Sequence, residues 1–164
     1  MTHYAAAGWL AWLESTGAAT AMRQSPWLYP IVEILHIFGF VVLVGSAAMF
    51  DLRLLGLSRQ LSVSGMERHL LRWARASLLV VVPTGSLMFV AHATEFFYNP
   101  AFRLKLILLV AAGLNAWVFH LRPFRLVKEW DAGSRAPLAA RFAGGLSLVL
   151  WGSVIACGRL LAYF

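Results

Sequence analysis

Charge is scarce in this chain, and acid is scarcer still. Asp and Glu together number 7 against 14 Lys and Arg in 164 residues, charged residues make up 13% of the chain and hydrophobic ones 60%, and the mean hydropathy is +0.72. Soluble domains carry about a quarter charged residues, so water is not the solvent this sequence is built for. A single cysteine, Cys157, lies inside an apolar run, which excludes an intramolecular disulfide and a metal site built on thiols. The opening MTHYAAAGWLAWLEST has no basic segment ahead of an apolar core, which argues against a cleaved signal peptide. The net charge of +7 does not form a solvated stripe either. The basic residues fall between long apolar runs, so they read as topology signals and no nucleic-acid partner is expected.

What the chain does have is four apolar stretches near the ~20 residues that cross a bilayer: 29–50, 73–94, 102–121 and 139–163. The second contains Pro83 and Gly85, which a membrane helix tolerates where neighbours re-satisfy the backbone, and the Asn99-Pro100 turn opens the third. Ahead of them, 5–22 is too mixed to span. Trp9, Trp12 and Leu13 share one face there, as on a helix lying at headgroup level, with a further role as a lid over that end of the molecule. The expected fold is an all-α membrane protein, 1–164 being a single membrane domain: a four-transmembrane-helix bundle with an N-terminal interfacial amphipathic helix, in contact with the lipid bilayer.

Four crossings put both termini on one side. The connections after the first and third spans hold Arg53, Arg59, Arg68, Arg72, Arg75, Arg122, Arg125, Lys128, Arg135 and Arg141, whereas the other surface holds Arg23, Arg103, Lys105 and Arg159. The richer side is expected to be cytoplasmic, giving a multi-pass protein of the bacterial inner (cytoplasmic) membrane with periplasmic N- and C-termini.

Ionisable residues inside spans are costly and are functional candidates by default. Glu33 and His36 stand three residues apart on the first span, and His92 and Glu95 repeat the pair in reverse order at the end of the second. Antiparallel helices would bring both acids to the outer rim and both imidazoles one turn deeper. Such a cluster of Glu33, His36, His92 and Glu95 fits a carboxylate-bridged metal site, and two facing histidines fit axial ligation of haem, and the pattern alone does not separate these. His120 and His69, towards the opposite face, are candidates for a second haem. His69, however, lies 23 positions from His92, ~35 Å along a straight helix, which favours a solvated place for it. His3 has no assigned role. Met88 is read as packing or a soft ligand, and Tyr29 and Tyr98 as hydrogen-bond partners of the glutamates or aromatic-belt residues. Asp51 is expected to pair with Arg72 or Arg75, and Asn115 to bond between helices. Small residues at Gly145, Gly152, Ala156 and Gly158 allow close helix approach within the chain or in a homo-oligomer.

The run Trp27-Leu28-Tyr29-Pro30, then Val32-Glu33-Ile34-Leu35-His36-Ile37-Phe38-Gly39 and Asp51-Leu52-Arg53-Leu54-Leu55-Gly56, resembles an uncharacterised family of small bacterial inner-membrane proteins. More distantly, histidines near the ends of a four-helix bundle are similar to b561-type cytochromes and to the copper-resistance D membrane family. The former resemblance implies haem b and electron exchange with quinone or a small oxidant, and the latter implies copper. The fourth span, however, has no histidine. The leading expectation is therefore a membrane redox protein with haem b, and an adjacent copper or iron ion, near the periplasmic face. The alternatives are a copper, zinc or iron transport or handling protein, and a structural membrane subunit.

Overall fold

The computed structural model describes residues 8–163, so His3 and the first three residues of the expected surface helix lie outside the described residues. The described chain is helical throughout, and four of its helical stretches are long and apolar enough to cross a membrane. The short helices α1 (Gly8–Glu14) and α2 (Gly17–Gln24) lead into the first long helix, α3 (Leu28–Leu55). The second limb is compound: α4 (Val63–Met66), a π-helical turn (Glu67–Leu71), α5 (Arg72–Ala91) and α6 (Ala93–Tyr98). Helix α7 (Pro100–Leu121), a 3-10 segment (Pro123–Glu129), α8 (Leu138–Leu160) and a last 3-10 turn (Leu161–Tyr163) complete the chain.

Local chemistry sets most of these ends. Asn99 caps α7 by accepting from the amides of Ala101 and Phe102 at 2.9 and 3.2 Å, with Pro100 at the first helical position, where its missing N–H has no intrahelical partner to lose. Helix α3 stops at Gly56, whose φ of 111° suits a residue without Cβ, while the amides of Gly56 and Leu57 close back on the Arg53 and Leu52 carbonyls.

Helix α3 runs one turn further than its apolar stretch predicts, because tertiary contacts bury its last turn. Arg53 is 1% exposed and donates to three carbonyls, Leu61 at 2.8 Å, Arg59 at 3.1 Å and Asp131 at 2.9 Å. Asp51 does not pair with Arg72 or Arg75. It accepts from the Ser147 hydroxyl of α8, and its Oδ2 is buried with no protein partner among the described residues. The Asp131 carboxylate anchors the next turn, accepting from the Ser64 amide at 2.7 Å and from the Ser64 and Ser62 hydroxyls at 2.8 and 3.0 Å. What burial it suffers pushes this carboxyl up, but those hydrogen bonds to the charged form outweigh it and hold the group below the usual carboxylate range.

The second limb breaks where a continuous helix is expected. At His92 the backbone leaves the helix (φ −138°, ψ 46°), and the N-terminal segment satisfies the groups this exposes. Arg23 donates to the Ala91 carbonyl at 2.8 Å, and Glu14 accepts from the Thr94 amide at 2.7 Å. Two helices therefore replace the single one expected over 5–22. Their packed face carries Leu10, Ala19 and Met22, all buried, whereas Trp9 and Trp12 are 49% and 66% exposed.

The four long helices stand in the order α5, α3, α8, α7, each packed on the next. Glycines permit two close approaches: a Cβ on Gly39 would meet Val81 Cγ2 at 2.9 Å, and one on Gly144 would meet the Asp51 carbonyl at 3.1 Å. Asn115 makes its expected interhelical bond, donating to the Ala143 carbonyl at 2.9 Å. In the stripe of small residues on α8, by contrast, a Cβ on Gly152 or Gly158 would meet nothing within 4 Å; Gly158 borders the cavity, whereas Gly152 is exposed away from it. Large apolar side chains such as Phe38, Leu79 and Val110 point outward, as a lipid-facing surface requires.

No packed seam joins α5 to α7 among the described residues, so the ring is open on its fourth side. At the end near both termini, Phe102 of α7 stacks on Phe89 and Phe96 at 5.5 and 5.4 Å. At the loop end, Glu67 lies 3.4 Å from Arg75 and 3.8 Å from His120 of α7. Between these bridges is a lateral window ~21 Å tall, from the 14 positions of α5 between Arg75 and Phe89 at 1.5 Å each. Behind it lies a cavity of about 1940 Å³.

Candidate functional site

The cavity is the candidate site, because it is several times the size needed for a small organic ligand and its mostly apolar wall carries a few polar groups. His36 of α3 is the best defined of them. Thr84 sits opposite on α5, and its hydroxyl lies 2.6 Å from the Val80 carbonyl, which can only accept, so the hydroxyl proton points there. The same Oγ1 lies 3.0 Å from His36 Nδ1 and must therefore accept from it. This assigns the proton to Nδ1 and the lone pair to Nε2 of a ring that lines the cavity. Gly85 makes room for the ring, since a Cβ there would stand 3.0 Å from His36 Cε1. Phe40, one turn on, lies nearly parallel to the imidazole at 6.5 Å.

His92 occupies a different level. Its ring meets that of Tyr29 edge-on at 5.8 Å, and Nδ1 lies 3.8 Å from Glu95 Oε2. Tyr29 precedes His36 by seven positions, so the imidazoles differ in depth by about 10 Å, two helical turns instead of none. The expected mirror symmetry fails because α3 and α5 pair with His36 beside Thr84 and Gly85, and because α5 ends at His92. Glu33 is exposed on α3, and Glu95 belongs to the separate helix α6. Among the described residues no three His, Cys, Asp or Glu side chains gather as a metal site, so Glu33, His36, His92 and Glu95 do not form the expected four-residue cluster. Two imidazoles on one iron must approach within roughly 4 Å, twice a metal–nitrogen bond, which this register does not provide for His36 and His92.

The two remaining candidates are not brought together either. His69 is exposed on the π-helical turn and does not line the cavity. His120 donates from Nδ1 to the Ala116 carbonyl at 2.8 Å and turns Nε2 towards Glu67. Met88 packs with the buried cluster of Met22, Val32 and Ala91.

Three features of the site are not among the residues the sequence assigns to it. Thr84 looks like any small residue of a membrane helix until its position opposite His36 is known. Asp51 with Ser147 marks the deep end of the cavity. Lys105 had counted only as a surface charge, yet it lines the cavity within electrostatic reach of His36 and Cys157. Its place five residues inside an apolar helix was the available clue.

Comparison with curated proteins and with solved structures returns no match. A family model does match, over residues 26–164, which takes in all four long helices and leaves out α1 and α2. The chain thus belongs to a family of unknown function, DUF6644.

Proposed function

We propose that this chain is a membrane redox protein whose cavity takes haem b, with His36 Nε2 as the protein's ligand to the iron. The observation that carries the reading is the fixed tautomer of His36, a lone pair presented by a hydrogen-bonded imidazole to a large, mostly apolar space. His36 is the residue that would hold the iron, and the cavity's volume exceeds that of a porphyrin. Haem would supply one-electron chemistry. The chain's own residues orient and shield: Thr84 holds the imidazole, Phe40 flanks it, and Glu33, His92 and Glu95 lie at the mouth, where they can hold or pass protons. The lateral window would admit a quinone from the bilayer as electron partner. A metal-handling role, as the likeness to the copper-resistance D family would have it, gains no support, because the expected ligand cluster is not assembled. The topology belongs to the proposal as well: inner membrane, termini periplasmic, α1 and α2 at the outer headgroups, and a homo-oligomer through the outward face of α8.

The test is the visible spectrum of the purified protein before and after dithionite, with iron and copper determined on the same sample. Sharp reduced bands that vanish in His36→Ala and survive in His92→Ala are expected. A colourless protein, or a His36→Ala variant with undiminished bands, overturns the reading.

A further inference from the structure

Lys105 is a cation within a membrane-spanning helix, half-buried at the cavity wall, and it makes no ion pair among the described residues. The ionisable groups it acts on are the His36 imidazole and the Cys157 thiol, neither of them a carboxylate. None of the acids that line the cavity, Glu33, Asp51 and Glu95, forms an ion pair with it among the described residues. An ammonium in low dielectric needs a negative partner, and burial without one is costly. The open seam between α5 and α7 offers a route for that partner from the lipid phase.

We infer that the cavity binds a carboxylate-bearing amphiphile that enters between α5 and α7, its apolar body in the cavity and its acid group on Lys105. The shared chemistry is a carboxylate on a large apolar frame, which a fatty acid and a porphyrin propionate both provide. The propionate case rests on the haem reading, whereas the fatty-acid case stands without it. An esterified ligand keeps its carbonyl and its apolar body but loses the charge, so comparing acid with ester isolates the contribution of the ammonium.

The experiment measures binding of cis-parinaric acid and its methyl ester to the haem-free full-length protein in neutral maltoside micelles, followed by energy transfer from tryptophan. A parallel pair uses haemin and haemin dimethyl ester. A charge-assisted bond gives the wild type a preference of about tenfold or more for the acid. Lys105→Arg should keep that preference and Lys105→Gln should lose it, with thermal melts showing both variants folded. A preference in the fatty-acid pair identifies a lipid source, and one confined to the porphyrin pair identifies the propionate. Equal binding of acid and ester by the wild type in both pairs, as a lysine reaching out to the headgroups would give, overturns the inference. So does a preference that survives Lys105→Gln. The fatty-acid pair contains no haem, so its outcome in the wild type tells failure of this inference apart from failure of the haem reading.

Discussion

Thr84 and Gly85 decide what His36 can do, although neither would touch a ligand at Nε2. Replacing Thr84 with valine keeps the shape and removes the acceptor for Nδ1–H, which frees the ring to rotate and to change tautomer. Losing such an orienting partner typically costs about 10- to 100-fold in affinity for a bound metal group. Thr84→Val should therefore bind haemin that much more weakly in an optical titration, and Thr84→Ser should recover most of the loss. Gly85→Val should also cost binding, by crowding Cε1 directly. Asp131 permits a separate prediction, on pH. Its folded-state affinity for protons is depressed, so the stability it lends is fully present above its unfolded pKa of ~3.9 and is lost as pH falls through the lower folded value. Melting temperatures of wild type and Asp131→Asn, followed from pH 6 downward, should converge at the acid end. A constant gap would show that the carboxylate's charge is irrelevant.

Among the elements, the four long helices were legible from apolar runs alone, since lipid demands continuous helices of about that length. Their ends were less so. The last turn of α3 and the start of the second limb at Val63 are polar enough to read as loop, and what holds them is the remote Asp131 segment. The break at His92 was likewise invisible, because Glu14 and Arg23 satisfy it from 80 and 68 residues away. That hidden break also misplaced the site. Their three-residue spacing does bring His92 and Glu95 to 3.8 Å, but the register between α3 and α5 is set by contacts such as Gly39 against Val81, which no spacing rule contains. Gly39→Leu should force that seam apart. A drop of several degrees in melting temperature in detergent is expected, set against a near-neutral Gly152→Leu, whose position is open.

For the molecule as a whole, the charge distribution and the open seam make two independent statements. The basic residues gather around the connections that join α3 to α5 and α7 to α8, so a phosphatase reporter fused after Phe164 should be active and a fluorescent protein placed there should stay dark in bacterial cells. The opposite pattern would invert the proposed topology and put the cavity mouth on the cytoplasmic side. The open seam concerns ligand traffic. A cavity walled on three sides and framed by Phe89, Phe96 and Phe102 at one end and Glu67, Arg75 and His120 at the other has an opening towards the side, between α5 and α7.

Arg53 carries a consequence for biogenesis. Its Nε and one terminal nitrogen donate to two carbonyls a few residues downstream and to a third, that of Asp131, 78 residues later. During synthesis the first crossing must therefore wait, one donor short, until the third crossing and the segment behind it have left the ribosome. Nascent chains halted before residue 131 should be sensitive to proteolysis between residues 53 and 63, and chains halted beyond it should be resistant.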